Sequence, residues 1–211
     1  MLLIGMFDSP FVRRVAVSMQ LLGMPYEHRN WSVGKDFESI RRYNPLGRVP
    51  TLVLDDGTSL VESAAILDWL DDQVGPKRAL VPPSGDARRD ARQLMALAHG
   101  AAEKGVLQIY ERAFRPEDKR HAPWVARCQT QMHSALAVLE EAAAARTGQY
   151  LVGEKLSQAD VTIACMLRFL HDSIGVNREA TEYTALAEFA ARCERLPAFE
   201  AVPIPPFVAP S

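Results

Sequence analysis

The sequence predicts an α/β unit followed by an all-helical one, on three observations. Over roughly the first 75 residues, short apolar runs alternate with helical periods in the order strand, helix, strand, short helix, strand, strand, helix. That order suits a mixed four-stranded sheet with helices packed on it. Residues 75–85 then concentrate three prolines and two glycines, the composition of a linker. Beyond them every period is helical. The expected division is residues 1–75, a linker at 76–85 and a helical domain at 86–211.

Each element has a local reason. Residues 2–5 are a short apolar strand. Ser9 followed by Pro10 has the form of a helix N-cap with proline at the first helical position. The helix runs to Leu22, with Val12, Val15, Ala16, Met19 and Leu22 on its apolar face, and Gly23 ends it. Residues 26–30 read as a second strand and 36–43 as a short polar helix. Leu52, Val53 and Leu54 form a buried strand, Asp56-Gly57 a hairpin turn, and residues 59–61 the return strand. Glu62 and Ser63 open a helix over 64–74. In the second unit residues 86–114 make one long helix or two joined ones, 122–146 a further helix, and 150–153 a buried turn. Ser157-Gln-Ala-Asp160 is a capping box, with Leu156 and Val161 spaced as a hydrophobic staple. Residues 161–170 are apolar nearly all round, which puts them in the middle of a bundle. A last helix at 182–195 leads to an extended tail from Pro197 that holds five prolines.

Composition narrows the function classes. Of 211 residues 48% are hydrophobic, and 24 basic against 26 acidic side chains leave a formal charge of −2. That balance gives no reason to expect nucleic acid or an anionic membrane as partner. Cys128, Cys165 and Cys193 are far apart, with no Cys-x-x-Cys, which argues against a disulfide framework and a structural zinc site. No apolar run is long enough to span a bilayer, and the first residues lack the basic region of a signal peptide. A reducing cytoplasm is the expected compartment.

The stretch 44–63 organises the first unit. Pro50 cannot donate to a sheet ladder, so it marks a strand start, an edge or a special turn. Sequence alone makes trans the expected isomer of Val49–Pro50. A cis bond there would aim the Val49 amide and carbonyl outward, able to pair with an extended peptide. Glu62 and Ser63 lie beside the unpaired N–H groups of a helix start, a ready site for an anion. An ordinary hairpin followed by a capped helix accounts for the same residues.

Ser9 has two readings. One is a plain N-cap. The other is to hold a thiolate: a free thiol has a pKa of about 8.5, so only about 3% is ionised at neutral pH. Lowering that pKa by about two units takes about 2.7 kcal/mol. A hydrogen bond to a charged group contributes about 1.5–3 kcal/mol and a helix N-terminus about 0.3–1 kcal/mol. Together they suffice, with no metal and no general base. A nucleophilic serine needs a partnered base. No Gly-x-Ser-x-Gly elbow surrounds Ser9, and His28, His99, His121, His133 and His171 lie elsewhere in the sequence. Arg13 and Arg14 fall in the first helical turns, where cations oppose the helix dipole. A structural carboxylate or a bound anion must compensate, and a structural partner is expected for one of them.

Taken together, these segments resemble the cytosolic glutathione transferase family over nearly the whole chain. Ser9-Pro-Phe-x-x-Arg14 is similar to its serine-type active-site segment and Asn44-Pro-x-Gly-Arg-Val-Pro50 to its glutathione-backbone loop. Glu62-Ser63 resembles the pair that holds the γ-glutamyl end, and Ser157-x-x-Asp160 the capping box of its C-terminal domain. The resemblance implies a thioredoxin-like N-terminal domain in which Pro50 is cis, an all-α helical-bundle C-terminal domain, and glutathione as co-substrate with no metal. It implies that Ser9 stabilises the glutathione thiolate, Val49 pairs with the cysteinyl backbone, Glu62 meets the α-amino group and Ser63 the α-carboxylate. Arg48 stands where a lysine is common; its bidentate guanidinium suits the glycyl carboxylate, with a different reach. The absence of a cysteine at position 9 points away from omega-like and beta-like disulfide exchange. The missing second serine and cysteine point away from zeta-like isomerases. A tau-like or general bacterial serine-type transferase is the closer likeness.

The implied activity is detoxification by conjugation of glutathione to a small apolar electrophile, with Phe11, Tyr110 and Phe114 as walls of the second-substrate pocket. Tyr110 and Phe114 are four apart on one helix face, a spacing more often seen in cores than in pockets. A non-catalytic glutathione-binding or regulatory protein, or a glutathione-dependent isomerase, dehalogenase or peroxidase, shares the same residues. The resemblance also implies a homodimer, joined by the helix after Glu62 and the one after Asp86. Arg88, Arg89 and Arg92 would there meet Asp68, Asp71 and Asp72 across a two-fold axis; a solvated charged face is the other reading.

Overall fold

The structure, a computed structural model, describes residues 1–177 and 181–205. Its first half runs β1 (Leu2–Ile4), α1 (Pro10–Leu22), β2 (Glu27–Arg29), α2 (Phe37–Arg41), β3 (Thr51–Val53), β4 (Ser59–Val61) and α3 (Ser63–Val74). The strands form one mixed sheet in the order β2-β1-β3-β4. β1 is parallel to β2, with Leu3 opposite His28, and antiparallel to β3, with Leu3 opposite Leu52. The expected mixed four-stranded sheet is present, each strand within a residue or two of its expected span.

α1 begins and ends as its residues dictate. Ser9 is the N-cap, Pro10 stands in the first turn, and Gly23 closes the helix at φ 67, its amide donating to the Gln20 and Met19 carbonyls. The expected apolar face is buried, and so are Arg13, Arg14, Val17 and Ser18 on the other sides. Packing explains this: α1 lies between α3 and a helix of the second half, α6 (Gln158–Ile174). Arg13 forks onto the Glu194 carboxylate at 2.5 and 2.7 Å and donates Nε–H to the Val202 carbonyl at 3.2 Å. It is the arginine with the structural partner.

The second half is helical. α4 (Gly85–Ala113) is a single helix of 29 residues, followed by a short turn of 3-10 helix, α5 (Ala122–Ala145), α6, α7 (Thr184–Glu194) and α8 (Pro197–Glu200). α6 is buried over most of its length and packs against α1, α4 and α7, as its apolar run requires. Where α4 crosses it stands Gly105; a Cβ there would lie 2.5 Å from Leu170 Cδ2. The capping box is present. The Asp160 carboxylate accepts from the Ser157 amide at 2.7 Å and from the Leu151 amide at 2.9 Å.

Three expectations are corrected. The turn at 150–153 is half-buried to exposed rather than buried, because Asp160 holds it through its backbone. Glu62 lies outside α3, at φ 67, so only Ser63 belongs to the first helical turn. Pro197 does not start an extended tail: it opens α8, and Phe199 is buried with the Arg13 guanidinium 5.6 Å from its ring centre. Residues 206–211 of that tail lie outside the described residues. Several charges considered for a two-fold contact also have partners within one chain. Asp71 accepts the Leu80 and Val81 amides at 2.7 and 3.0 Å, which pins the segment between α3 and α4. Arg92 reaches Asp68 at 3.1 Å, Arg89 reaches Asp86 at 2.8 Å, and Arg88 donates to the Pro82 carbonyl.

Candidate active site

A cleft of about 870 Å³ opens between the first half and α4. Ser9, Phe11, Arg48, Val49, Tyr110 and Phe114 all line it. Pro50, Glu62 and Ser63 do not line this space themselves; they lie in the segments beside it.

Ser9 is half-buried. Its Oγ accepts the Val12 amide at 3.4 Å, a long capping contact, while its carbonyl takes the Arg13 amide at 2.9 Å. Pro10 has no N–H, and among the described residues the Phe11 amide has no backbone partner. The positive end of α1 therefore faces the cleft with an unengaged amide and a hydroxyl proton free to donate.

The Val49–Pro50 bond is cis. Among the described residues neither the amide nor the carbonyl of Val49 has a backbone partner, although Val49 lines the cleft. Buried Asn44 shapes the approach, donating to the Arg48 carbonyl at 2.8 Å and accepting the Leu46 amide at 3.0 Å. Gly5, at φ +132, is required behind it: a Cβ there would meet Val12 Cγ2 at 2.5 Å and Val49 Cβ at 2.8 Å. The end of β1, the start of α1 and Val49 thus converge on one glycine.

Glu62 holds φ 67 without being glycine, a sparsely populated conformation that concentrates at functional sites. Ser63 is buried, and its Oγ receives Nη2 and Nε of Arg14 at 2.6 and 3.1 Å. Arg14 is itself buried, 3.3 Å from His99 Nδ1. Among the described residues no carboxylate pairs directly with it; Glu62 and Glu103 act at longer range. Burial pulls its guanidinium down to about 10 and, together with the Arg14 charge, lowers His99 as well. Arg48 is drawn away from a free position, lying 3.3 Å from Glu62 and 3.0 Å from Glu103 of α4.

The far wall belongs to α4. Tyr110 and Phe114 meet edge-to-face at 5.0 Å, partly exposed, in the cleft rather than in the core. Phe11 is nearly buried, its ring 5.0 Å from that of His99. The cysteines stay out of this chemistry: all three are free and buried, and burial pushes Cys165 and Cys193 up to about 12. Among the described residues no cluster of His, Cys, Asp or Glu could hold a metal ion.

The sequence reading missed Asp8, Lys35 and Glu103 as cleft residues. Glu103 carries no signal, being one acidic residue on a long amphipathic helix. Asp8 had one, its place beside Ser9.

Comparison with known proteins agrees with this geometry. The family model for the glutathione S-transferase N-terminal domain matches residues 3–78, and that for the C-terminal domain residues 122–196. A glutathione S-transferase from Methylobacterium radiotolerans, crystallised with glutathione sulfonate, superposes with a TM-score of 0.89 at 29% identity, covering 98% of this chain and 96% of that one. A glutathione transferase family member from Pseudomonas fluorescens with bound glutathione superposes at 0.82 and 30% identity, covering 97% and 98%. The maleylpyruvate isomerase of Ralstonia sp is 26% identical over 209 residues, 94% of each chain. With both domains matched in order, and the cis proline, the serine-capped helix and the open Val49 edge gathered at one cleft, the chain belongs to the glutathione transferase family.

Proposed function

We propose that this enzyme binds reduced glutathione along Val49 and adds its thiolate to a small, mainly apolar electrophile held against Phe11, Tyr110 and Phe114. The carrying observation is Ser9, a hydroxyl with a free proton at the positive end of α1, opening into the cleft beside the unpaired Val49 backbone. Ser9 donates to the sulfur and keeps it ionised. Glu62 meets the α-amino group and Ser63 the α-carboxylate, with Arg14 bracing Ser63. Arg48 has a weaker claim on the glycyl carboxylate, since Glu62 and Glu103 already engage it. The glutathione bound in the relatives from M. radiotolerans (as the sulfonate) and P. fluorescens supports the co-substrate.

The test compares wild type with Ser9→Ala by titrating the thiolate absorbance of bound glutathione and by assaying conjugation of a chlorodinitrobenzene. Losing a charge-assisted bond of about 1.5–3 kcal/mol raises the bound thiol pKa by about one to two units. An unchanged thiol pKa removes Ser9 from the mechanism. A glutathione-dependent isomerase is the second reading, favoured by the likeness to maleylpyruvate isomerase over 94% of each chain. Turnover of a cis-configured unsaturated diacid, without conjugation of any aryl halide, would select it.

The same reading places the enzyme in a reducing cytoplasm, consistent with three unpaired cysteines. Among the described residues no helix is long and apolar enough to cross a membrane. It also makes the enzyme a homodimer along α3 and α4, where exposed Asp72 has no ion pair among the described residues. A monomer by sedimentation at micromolar concentration overturns that assembly.

A further inference from the structure

Resting on the glutathione reading above, we propose that Asp8 is the specificity-determining residue of the second-substrate pocket: its carboxylate selects neutral or cationic electrophiles and rejects anionic ones. Asp8 immediately precedes Ser9 and lines the same cleft. The charges around that space are unequal. Asp8, Asp36 and Glu103 line it against Lys35 and Arg48. Arg48 is spent on Glu103 and Glu62 at 3.0 and 3.3 Å. Lys35 and Asp36, neighbours on the segment that crosses from β2 to α2, offset one another in net charge, and Asp8 is the acid in excess.

Among the described residues Asp8 has no ion pair. Its carboxyl is pushed up by burial, opposed only by the backbone amides of Ser9 and of Asp8 itself. Its charge also reaches the apolar wall: burial pushes the Tyr110 phenol up, Arg48 opposes this, and Glu103 and then Asp8 add to it. An electrophile lying between the Ser9-held sulfur and Tyr110 therefore sits within the field of an uncompensated carboxylate, inside a low-dielectric pocket where like charges repel strongly. A substrate carboxylate entering beside Asp8 meets a net repulsion, since three carboxylates line the cleft against two cations. A nitro-aromatic, a neutral enone or a cationic electrophile meets none. The same charge sets this pocket against the dicarboxylate that a maleylpyruvate-type isomerase would have to admit.

The test measures, by calorimetry, the affinities of two S-aryl glutathione conjugates that differ only in a ring carboxylate. Steady-state kcat/KM for the two parent aryl chlorides accompanies it. Wild type prefers the neutral member of each pair. Asp8→Asn and Asp8→Ser raise the ratio of carboxylated to neutral about tenfold, and Asp8→Glu retains the wild-type ratio. Taking ratios within one protein cancels any change that Asp8 makes to the thiol itself, and the glutathione affinity of each variant reports that its fold is intact. A ratio that stays within twofold in Asp8→Asn, with glutathione still bound, overturns the assignment and leaves the glutathione reading standing. Failure of wild type to bind glutathione overturns both.

Discussion

Arg14→Met separates what Arg14 does for the fold from what it does for the ligand. The guanidinium is 1% exposed and, among the described residues, has no direct carboxylate partner. Burial pulls it down to about 10, and at about 1.36 kcal/mol per pKa unit that depression corresponds to roughly 3 kcal/mol against the folded state. The opposing gain is its bonds to Ser63 at 2.6 and 3.1 Å, together about 1.5–3 kcal/mol. Methionine fills the volume with a flexible apolar chain. Loss and relief nearly cancel, so urea denaturation should show a stability within about 1 kcal/mol of wild type, as when apolar residues replace other buried charges. Glutathione should not escape so lightly. Without Arg14 the Ser63 hydroxyl loses its anchor beside the proposed γ-glutamyl site, and calorimetry should show Kd rising about 10- to 100-fold, equivalent to about 1.4–2.7 kcal/mol. A loss of more than about 3 kcal/mol, the penalty for breaking a well-compensated buried pair, would refute the bookkeeping. An unchanged glutathione Kd would refute the bracing role.

Two further outcomes follow from buried charges. Arg13→Ala should cost about 3 kcal/mol in urea unfolding, because it leaves the half-buried Glu194 carboxylate with only Arg168, at 3.9 Å; Arg13→Met with Glu194→Met should recover most of that loss. Asp160 is fully buried, and burial raises its carboxyl above 3.8 against the opposing bonds from Ser157 and Leu151. The native state therefore holds that proton more tightly than the unfolded chain, so this group lowers stability as pH climbs from 3.8 through its native pKa. Asp160→Asn should flatten that slope in stability measured against pH, and an unaltered slope would assign it to other groups.

Much of the fold could be read along the chain because its signals are local. Ser9-Pro10 opens α1, Gly23 closes it, Asp56-Gly57 turns the hairpin, and Ser157 with Asp160 starts α6. Each acts on backbone within four residues of itself. Pro197 misled for the same local reason: proline is as much at home at a helix start as in a tail, and only a buried site for Phe199 decides between them.

The site divides the same way. The types and order of Ser9, Val49-Pro50 and Glu62-Ser63 are sequence properties, and they sufficed to suggest the chemistry. Which face of α4 is open was not among them: Tyr110 and Phe114 have the spacing of a core pair, yet they line the cleft. Ion pairing was equally hidden. Arg13 and Arg14 are neighbours in sequence, yet one meets Glu194 and the other Ser63 and His99. Arg48 finds Glu103 rather than standing free. The sequence by itself determined the elements, their order and the candidate chemical groups, since backbone preferences act over a few residues. Tertiary structure alone decided which charges are compensated and which, like Asp8, have no ion pair among the described residues, because a charge pairs across space with partners that the chain brings from up to 181 residues away.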